Sequence, residues 1–148
     1  MVNLPPPIWT MFYLIAASVA SFLYPWKSMV DLQFVPAGAV LIAAGFALAF
    51  WAAGLFRREG TELNPTSSEN SKLVVRGPFG FTRNPMYLGL VLISLGIAFC
   101  SGSLPLFVVP LLVFATANWV HIPFEEAKMR RQFGASFDDY TGRVRRWI

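Results

Sequence analysis

The chain has 148 residues, of which 55% are hydrophobic and only 14% charged, and its net charge is +4. Ordinary soluble chains carry roughly 25% charged residues, so a water-solvated surface of this size is excluded, and the apolar residues fall in long blocks that suit lipid. The basic residues cluster beside those blocks as topology signals and headgroup contacts, which argues against a nucleic-acid partner, while a single cysteine, Cys100, and a single histidine, His121, leave no disulfide framework and no metal site.

The first apolar block covers about 8–24, marginal for a span of ~20 residues. Nothing basic precedes it, so it reads as a retained helix led in by Pro5, Pro6 and Pro7, not as a signal peptide. The second covers about 36–56. Its small residues, Gly38, Ala43, Ala44, Ala47 and Gly54 among them, would let a neighbouring helix approach closely. Arg57 and Arg58 end it. The third block covers about 85–100 and the fourth about 104–120, with Pro110 predicting a kink. Only Ser-Gly-Ser separates these two, which predicts an antiparallel hairpin.

The sequence thus predicts an all-α integral membrane protein of one domain. It would have four transmembrane helices, a loop at 57–84 and a tail at 121–148. Arg57, Arg58, Lys72, Arg76 and Arg83 lie in the loop, and Lys128, Arg130, Arg131, Arg143, Arg145 and Arg146 in the tail. The other two connections hold only Lys27. By the positive-inside rule both basic segments, and with four spans both termini, face the cytoplasm across an inner membrane. The polar chemistry should therefore collect on that side.

In the loop, Gly77-Pro78 breaks any long helix, Lys72–Val75 is a short extended candidate, and Asn84-Pro85 is a strong helix start. Free backbone N–H groups and the positive dipole end there make a site for a carboxylate or phosphate, with Arg83 beside it. Simple capping of a membrane helix accounts equally for Asn84 and Pro85. Tyr87, one turn in, suits either a ligand contact or an interfacial anchor. Phe79 and Phe81 flank a glycine turn, where they could stack on a flat ring or simply wet the interface.

Glu125 and Glu126 follow Pro123 where the fourth block ends. Turned into a cleft, they suit a cation or ribose hydroxyls. Turned to solvent, they begin a helix in which Glu126 pairs with Arg130 at i,i+4. Gly134 should cap a helix ending at Phe133, and Ser136 with Asp139 resembles a capping box. Phe137, Tyr140, Val144 and Trp147 would then share one face of an amphipathic helix lying on anionic lipid.

Three segments together resemble the isoprenylcysteine carboxyl methyltransferase and phospholipid methyltransferase superfamily, especially its short bacterial members. They are GTELNP (60–65), KLVVRGPFGFTRNPMYLG (72–89) and EEAKMRRQFGASFDDYTGRVRRWI (125–148). The superfamily signature is Arg-His-Pro-x-Tyr-x-Gly, then a membrane hairpin, then Glu-Glu. Here the run is Arg83-Asn84-Pro85-Met86-Tyr87-Leu88-Gly89, with Glu125-Glu126 beyond the hairpin.

This resemblance implies a small helical membrane enzyme whose cytoplasmic ends close over S-adenosylmethionine, with S-adenosylhomocysteine as product. The implied cofactor contacts are Lys72, Leu73 and Val74 before the Gly-Pro turn and Phe79 after it. Asn84, Pro85, Met86 and Tyr87 follow, then Glu125 with Glu126 in support, and Asn64. The start of the third helix and Asn84 would take the methionyl carboxylate, and Glu125 the ammonium or a ribose hydroxyl. Leu73, Val74 and Phe79 would enclose the adenine. His121 stands where the isoprenylcysteine branch has a substrate-facing arginine, so it is the implied contact to a lipophilic acceptor entering from the bilayer. Asn84 replaces the signature histidine: it can donate a hydrogen bond but cannot titrate near neutral pH. The acceptor could be a prenylcysteine-like carboxylate or the amine of a phospholipid. A sterol-reductase-like fragment using NADPH and a non-enzymatic membrane scaffold are the remaining alternatives.

Overall fold

The structure, a computed structural model, describes residues 4–24, 32–59 and 72–148. Helix α1 is Pro6–Leu23, α2 Val35–Arg58, α3 Pro85–Ser101, α4 Leu104–Thr116, α5 Ile122–Phe133 and α6 Ala135–Arg143. A 3₁₀ turn, Gly77–Gly80, precedes α3, and a π turn, Ala117–His121, joins α4 to α5. No strand occurs among the described residues, and Lys72–Val75 runs as irregular backbone. Lys27 and the GTELNP segment (60–65) with its Asn64 lie outside the described residues.

Prolines start most of these helices for a common reason. Proline lacks an N–H that the first turn would leave unsatisfied anyway. It stands within the first two positions of α1, α2, α3, α4 and α5. Arg57 and Arg58 close α2, where positive charge meets the negative dipole end.

Among the described residues, three helical stretches are long and apolar enough to cross a membrane: Pro6–Leu23, Val35–Arg58 and Leu104–Phe133. The third predicted span, α3, is apolar but has 17 residues. At 1.5 Å per residue that is about 26 Å, against a hydrocarbon core of about 30 Å. The outward surface is apolar along the bundle, with Phe12, Phe22, Val40, Phe50 and Leu111 all more than half exposed. Contiguous surface of this kind suits lipid and not water.

Helices α2 and α3 pack antiparallel along a seam of glycines. Gly38 faces Gly96, and seven residues on, Gly45 faces Gly89. A Cβ built on Gly96 would lie 2.6 Å from the Gly38 carbonyl oxygen, and one on Gly89 would lie 2.8 Å from that of Gly45. Only hydrogen fits at these positions, so the backbones meet as small residues permit in membranes. Gly38 acts as the sequence predicts. Gly54 does not, since nothing lies within 4 Å of a Cβ placed there.

The hairpin of α3 and α4 forms as predicted. Gly102 turns left-handed at φ 73° and returns its N–H to Ala98 O at 2.8 Å. Helix α1 leans on α4 through Tyr13–Thr116 and Ser21–Ser103 hydroxyl pairs, both at 2.8 Å. Ala98, Leu106, Val109 and Val113 form the core between them.

The fourth helix departs from expectation. It does not stop at 120 but runs on through the π turn into α5. In that turn Ile122 donates to Ala117 O, five residues back. The wider turn falls just before Pro123, which cannot donate to the ladder and would otherwise crowd it. Glu125 and Glu126 are thereby carried on a rigid helix over the mouth of the bundle.

Two features of the tail are also corrected. Helix α6 starts at Ala135 with Gly134 as its cap, and no side chain of a capping box closes it. It ends at Arg143, and Val144 is extended, so Trp147 does not share a helical face with Phe137 and Tyr140. Those two rings are buried against the protein and do not lie out on lipid.

Candidate active site

The charged ends of the bundle surround a cavity of about 590 Å³. Three parts of the chain bring the residues expected to hold the cofactor to its walls. Lys72, Leu73, Val74 and Phe79 come from the segment before α3, and Asn84, Pro85, Met86 and Tyr87 from the start of α3. Glu125 and Glu126 come from α5. Every described residue expected to hold the cofactor therefore borders one space, although the two motifs are separated in sequence by a whole helical hairpin.

The 72–79 wall is fixed from below by α2. Val74 and Phe79 pack on Ala52, with Leu55, Phe56 and Met86 around them. The Phe56 and Phe79 rings meet edge to face at 5.0 Å. Gly77 is required here for two reasons: its φ is +61°, and a Cβ would strike Leu55 at 2.6 Å. Glu59 at the end of α2 pairs with Arg76 and lies 3.8 Å from Lys72.

Tyr87 and Glu125 join the two motifs directly. The Tyr87 hydroxyl donates to Glu125 Oε1 at 2.6 Å, a short bond. Glu126 turns to a different task. Its Oε1 takes Arg83 at 2.8 Å, and its Oε2 takes Arg146 at 2.6 Å. The predicted Glu126–Arg130 pair does not form; Arg130 bonds Asp138 instead, at 2.7 Å. The adjacent glutamates thus split, one joined to Tyr87 and one locked between arginines.

Asn84 is buried at the N-cap position of α3, but its side chain does not cap the helix. Its Nδ2 donates to the Arg146 carbonyl at 2.9 Å, while its own N–H goes to the Thr82 hydroxyl at 3.2 Å. The first turn of α3 is therefore without a side-chain acceptor, and it faces the cavity through Pro85, Met86 and Tyr87.

His121 does not line this cavity. It is 4% exposed and faces a small void of about 10 Å³ between α1 and the π turn, with Pro6, Tyr87 and Leu90 common to both spaces. Its ring stacks near Tyr87, 6.2 Å between centroids, and Nε2 finds no partner among the described residues.

The sequence alone missed several wall residues. Met129 lies one turn after Glu125, so helical spacing from the glutamate could have found it. Phe137 and Tyr140 carry only an apolar stripe, which fits lipid as well as a protein wall. The Tyr140 hydroxyl donates to Phe79 O at 2.7 Å. Burial pushes that phenol up to about 12, with Arg83 pulling it partly back.

A family model described as phospholipid methyltransferase matches residues 34–136. No curated protein and no solved structure matches the chain. The matched stretch spans α2 through the start of α6 and contains both motif segments, but stops short of Phe137, Tyr140 and the last residues.

Proposed function

The chain belongs to the phospholipid methyltransferase family, and we propose that it transfers a methyl group from S-adenosylmethionine to a lipophilic acceptor drawn from the bilayer. Membership makes it a membrane methyltransferase. The observation that carries the finer reading is the single cavity on which residues 72–87 and 125–126 converge, bridged by the Tyr87–Glu125 bond.

The wall chemistry fits the proposed cofactor part by part. At about 590 Å³ the space falls in the range of about 300–1,000 Å³ usual for small-molecule sites. The open first turn of α3, beside Arg83 and with Lys72 on the wall, suits the methionyl carboxylate. Glu125 suits the ammonium or a ribose hydroxyl. Leu73, Val74, Phe56 and Phe79 offer the apolar surface an adenine needs. Glu126 supports the site by holding Arg83, without touching the ligand itself.

The bound cofactor supplies an electrophilic methyl group. In-line displacement then asks the protein for alignment and exclusion of water. The Tyr87–Glu125 bond keeps two walls in register, and Phe137 and Tyr140 close the space on the tail side. Pro6, Ala49 and Leu90 continue the cavity along α1, α2 and α3, an apolar path for an acyl or prenyl chain. His121, buried behind Tyr87, lies off this path.

We place the basic loop and tail, and with them the cavity, at the cytoplasmic face, with α3 as the third of four crossings. In keeping with the family's description, we take the amine of a phospholipid as the acceptor in preference to a prenylcysteine carboxylate. An amine must be neutral to attack, whereas a carboxylate needs no base.

Titration calorimetry in detergent with S-adenosylhomocysteine tests the cofactor, and labelled-methyl transfer to a total lipid extract tests the acceptor. We expect saturable binding that Glu125→Ala abolishes, and label in an amine phospholipid. A chain that binds no S-adenosylhomocysteine and methylates nothing in the extract would be the scaffold, not the enzyme.

A further inference from the structure

Beyond Arg143 the chain leaves helical geometry, yet it does not trail into solvent. Arg145 O accepts the Arg83 N–H at 3.0 Å. Arg146 O accepts Asn84 Nδ2 at 2.9 Å and the Thr82 hydroxyl at 3.3 Å. The Arg146 guanidinium then forks onto Glu126, 2.6 Å to Oε2 and 3.2 Å to Oε1, and reaches Asn118 Oδ1 at 3.4 Å. Trp147 donates to the same Asn118 oxygen at 3.1 Å, and its ring lies 4.6 Å from that of Phe114. One residue therefore ties three pieces of the site. Its carbonyl holds the 82–84 turn, and its side chain holds α5 and the π turn.

The carbonyl contact has a chemical consequence at Asn84. Asparagine at an N-cap ordinarily turns its side-chain oxygen onto the N–H groups of the first turn. Here the Asn84 amide is drawn to Arg146 O, and no side chain caps α3. The first-turn donors stay available because the tail competes for the residue that would otherwise satisfy them.

We propose that Arg146 is a positioning residue for anion binding: anchored by Glu126 and Asn118, it holds Asn84 off the α3 N-terminus and so keeps that N-terminus open for the carboxylate of the methyl donor. Arg146 lies outside the residues the family model matches. The proposal rests on the reading of the large cavity as the cofactor site. When the anchor is lost, Asn84 swings in to cap its own helix and displaces the carboxylate. The adenosine end of the ligand, seated on Phe79 and Val74, is not affected.

Two ligands separate these effects, because methylthioadenosine has the nucleoside and thioether of S-adenosylhomocysteine but no carboxylate or ammonium. Calorimetry on the full chain in detergent should show Arg146→Ala weakening S-adenosylhomocysteine by about tenfold, or about 1.4 kcal/mol, with methylthioadenosine affinity unchanged. Arg146→Lys should recover part of the loss, since it keeps the charge beside Glu126 but cannot fork. Retained methylthioadenosine binding shows that each variant is folded. Equal affinity of wild type and Arg146→Ala for S-adenosylhomocysteine overturns the proposal, as does an equal fall for both ligands. Wild-type chain that binds neither ligand overturns the cofactor reading itself, and this role of Arg146 with it.

Discussion

Replacing Gly96 by alanine should separate α2 from α3, and the structure sets the scale. The added Cβ would lie 2.6 Å from the Gly38 carbonyl oxygen, 2.7 Å from Ile42 Cγ1 and 2.9 Å from the Ile42 nitrogen. Two of these three neighbours are backbone atoms, which cannot turn away as a side chain can. The closest is about 0.8 Å short of ordinary contact, so α2 must move as a body. Overpacking of this kind costs about 1–3 kcal/mol. Alanine returns up to about 1 kcal/mol of helix propensity over glycine, leaving a net loss of about 1–2 kcal/mol. Gly54→Ala is the control: it meets nothing within 4 Å, so only the propensity gain remains. Thermal unfolding in one detergent should rank Gly54→Ala at or above wild type and Gly96→Ala clearly below it. Gly38→Ala adds a methyl to the same contact, so the double variant should lose less than the two single losses combined. Ligand affinity should fall with Gly96→Ala too, since both helices line the cavity, α2 through Ala49 and Phe56 and α3 through Met86 and Leu90. A Gly96→Ala protein as stable as wild type, or a Gly54→Ala protein equally weakened, would refute the packing argument.

Three further predictions concern the site. Tyr87→Phe removes the 2.6 Å donor to Glu125; leaving a buried acceptor without its partner costs about 1–3 kcal/mol, so S-adenosylhomocysteine affinity should drop about tenfold in calorimetry, and an unchanged affinity would contradict the bridge. Glu126→Gln should lower the thermal midpoint far more than Asp139→Asn. Glu126 is 17% exposed between two arginines, whereas the Asp139–Arg143 pair is 68% exposed on both sides, where such pairs contribute about 0–1 kcal/mol. Tyr140→Phe should destabilise the wall by leaving Phe79 O without its donor. It should also change the alkaline limb of a stability–pH curve. The folded phenol is held up to about 12 against 10.0 for the free group, so its contribution is complete below pH 10 and is lost as the pH rises through about 12. The phenylalanine variant should lack that phase, and a limb of unchanged shape counts against burial as its cause.

How much was legible in the sequence differs by element. The helices of the bundle were visible because an unbroken apolar block leaves lipid as the only adequate solvent, and a proline or a left-handed glycine marks where it begins or turns. The run from Arg83 to Gly89 and the glutamate pair at 125–126 were visible as a family signature, because their order across a hairpin is specific. What no local pattern could say was which donor meets which acceptor. Glu125 and Glu126 are neighbours of one type, yet only the path of the last residues sends Glu126 to Arg83 and Arg146 and leaves Glu125 to Tyr87. Asn84 has every mark of an N-cap, and the Arg146 carbonyl, distant in sequence, draws its side chain elsewhere. Phe137 and Tyr140 carry an apolar stripe that fits lipid and protein alike, and contact with Phe79 decides for protein. The sequence by itself determined the solvent and the helices, because these follow from residue type and spacing along one stretch of chain, while the kind of chemistry came from the family resemblance of segments on either side of a hairpin. The pairing of polar groups was decided only by the tertiary structure, because each buried donor takes whichever acceptor the folded backbone brings within about 3 Å.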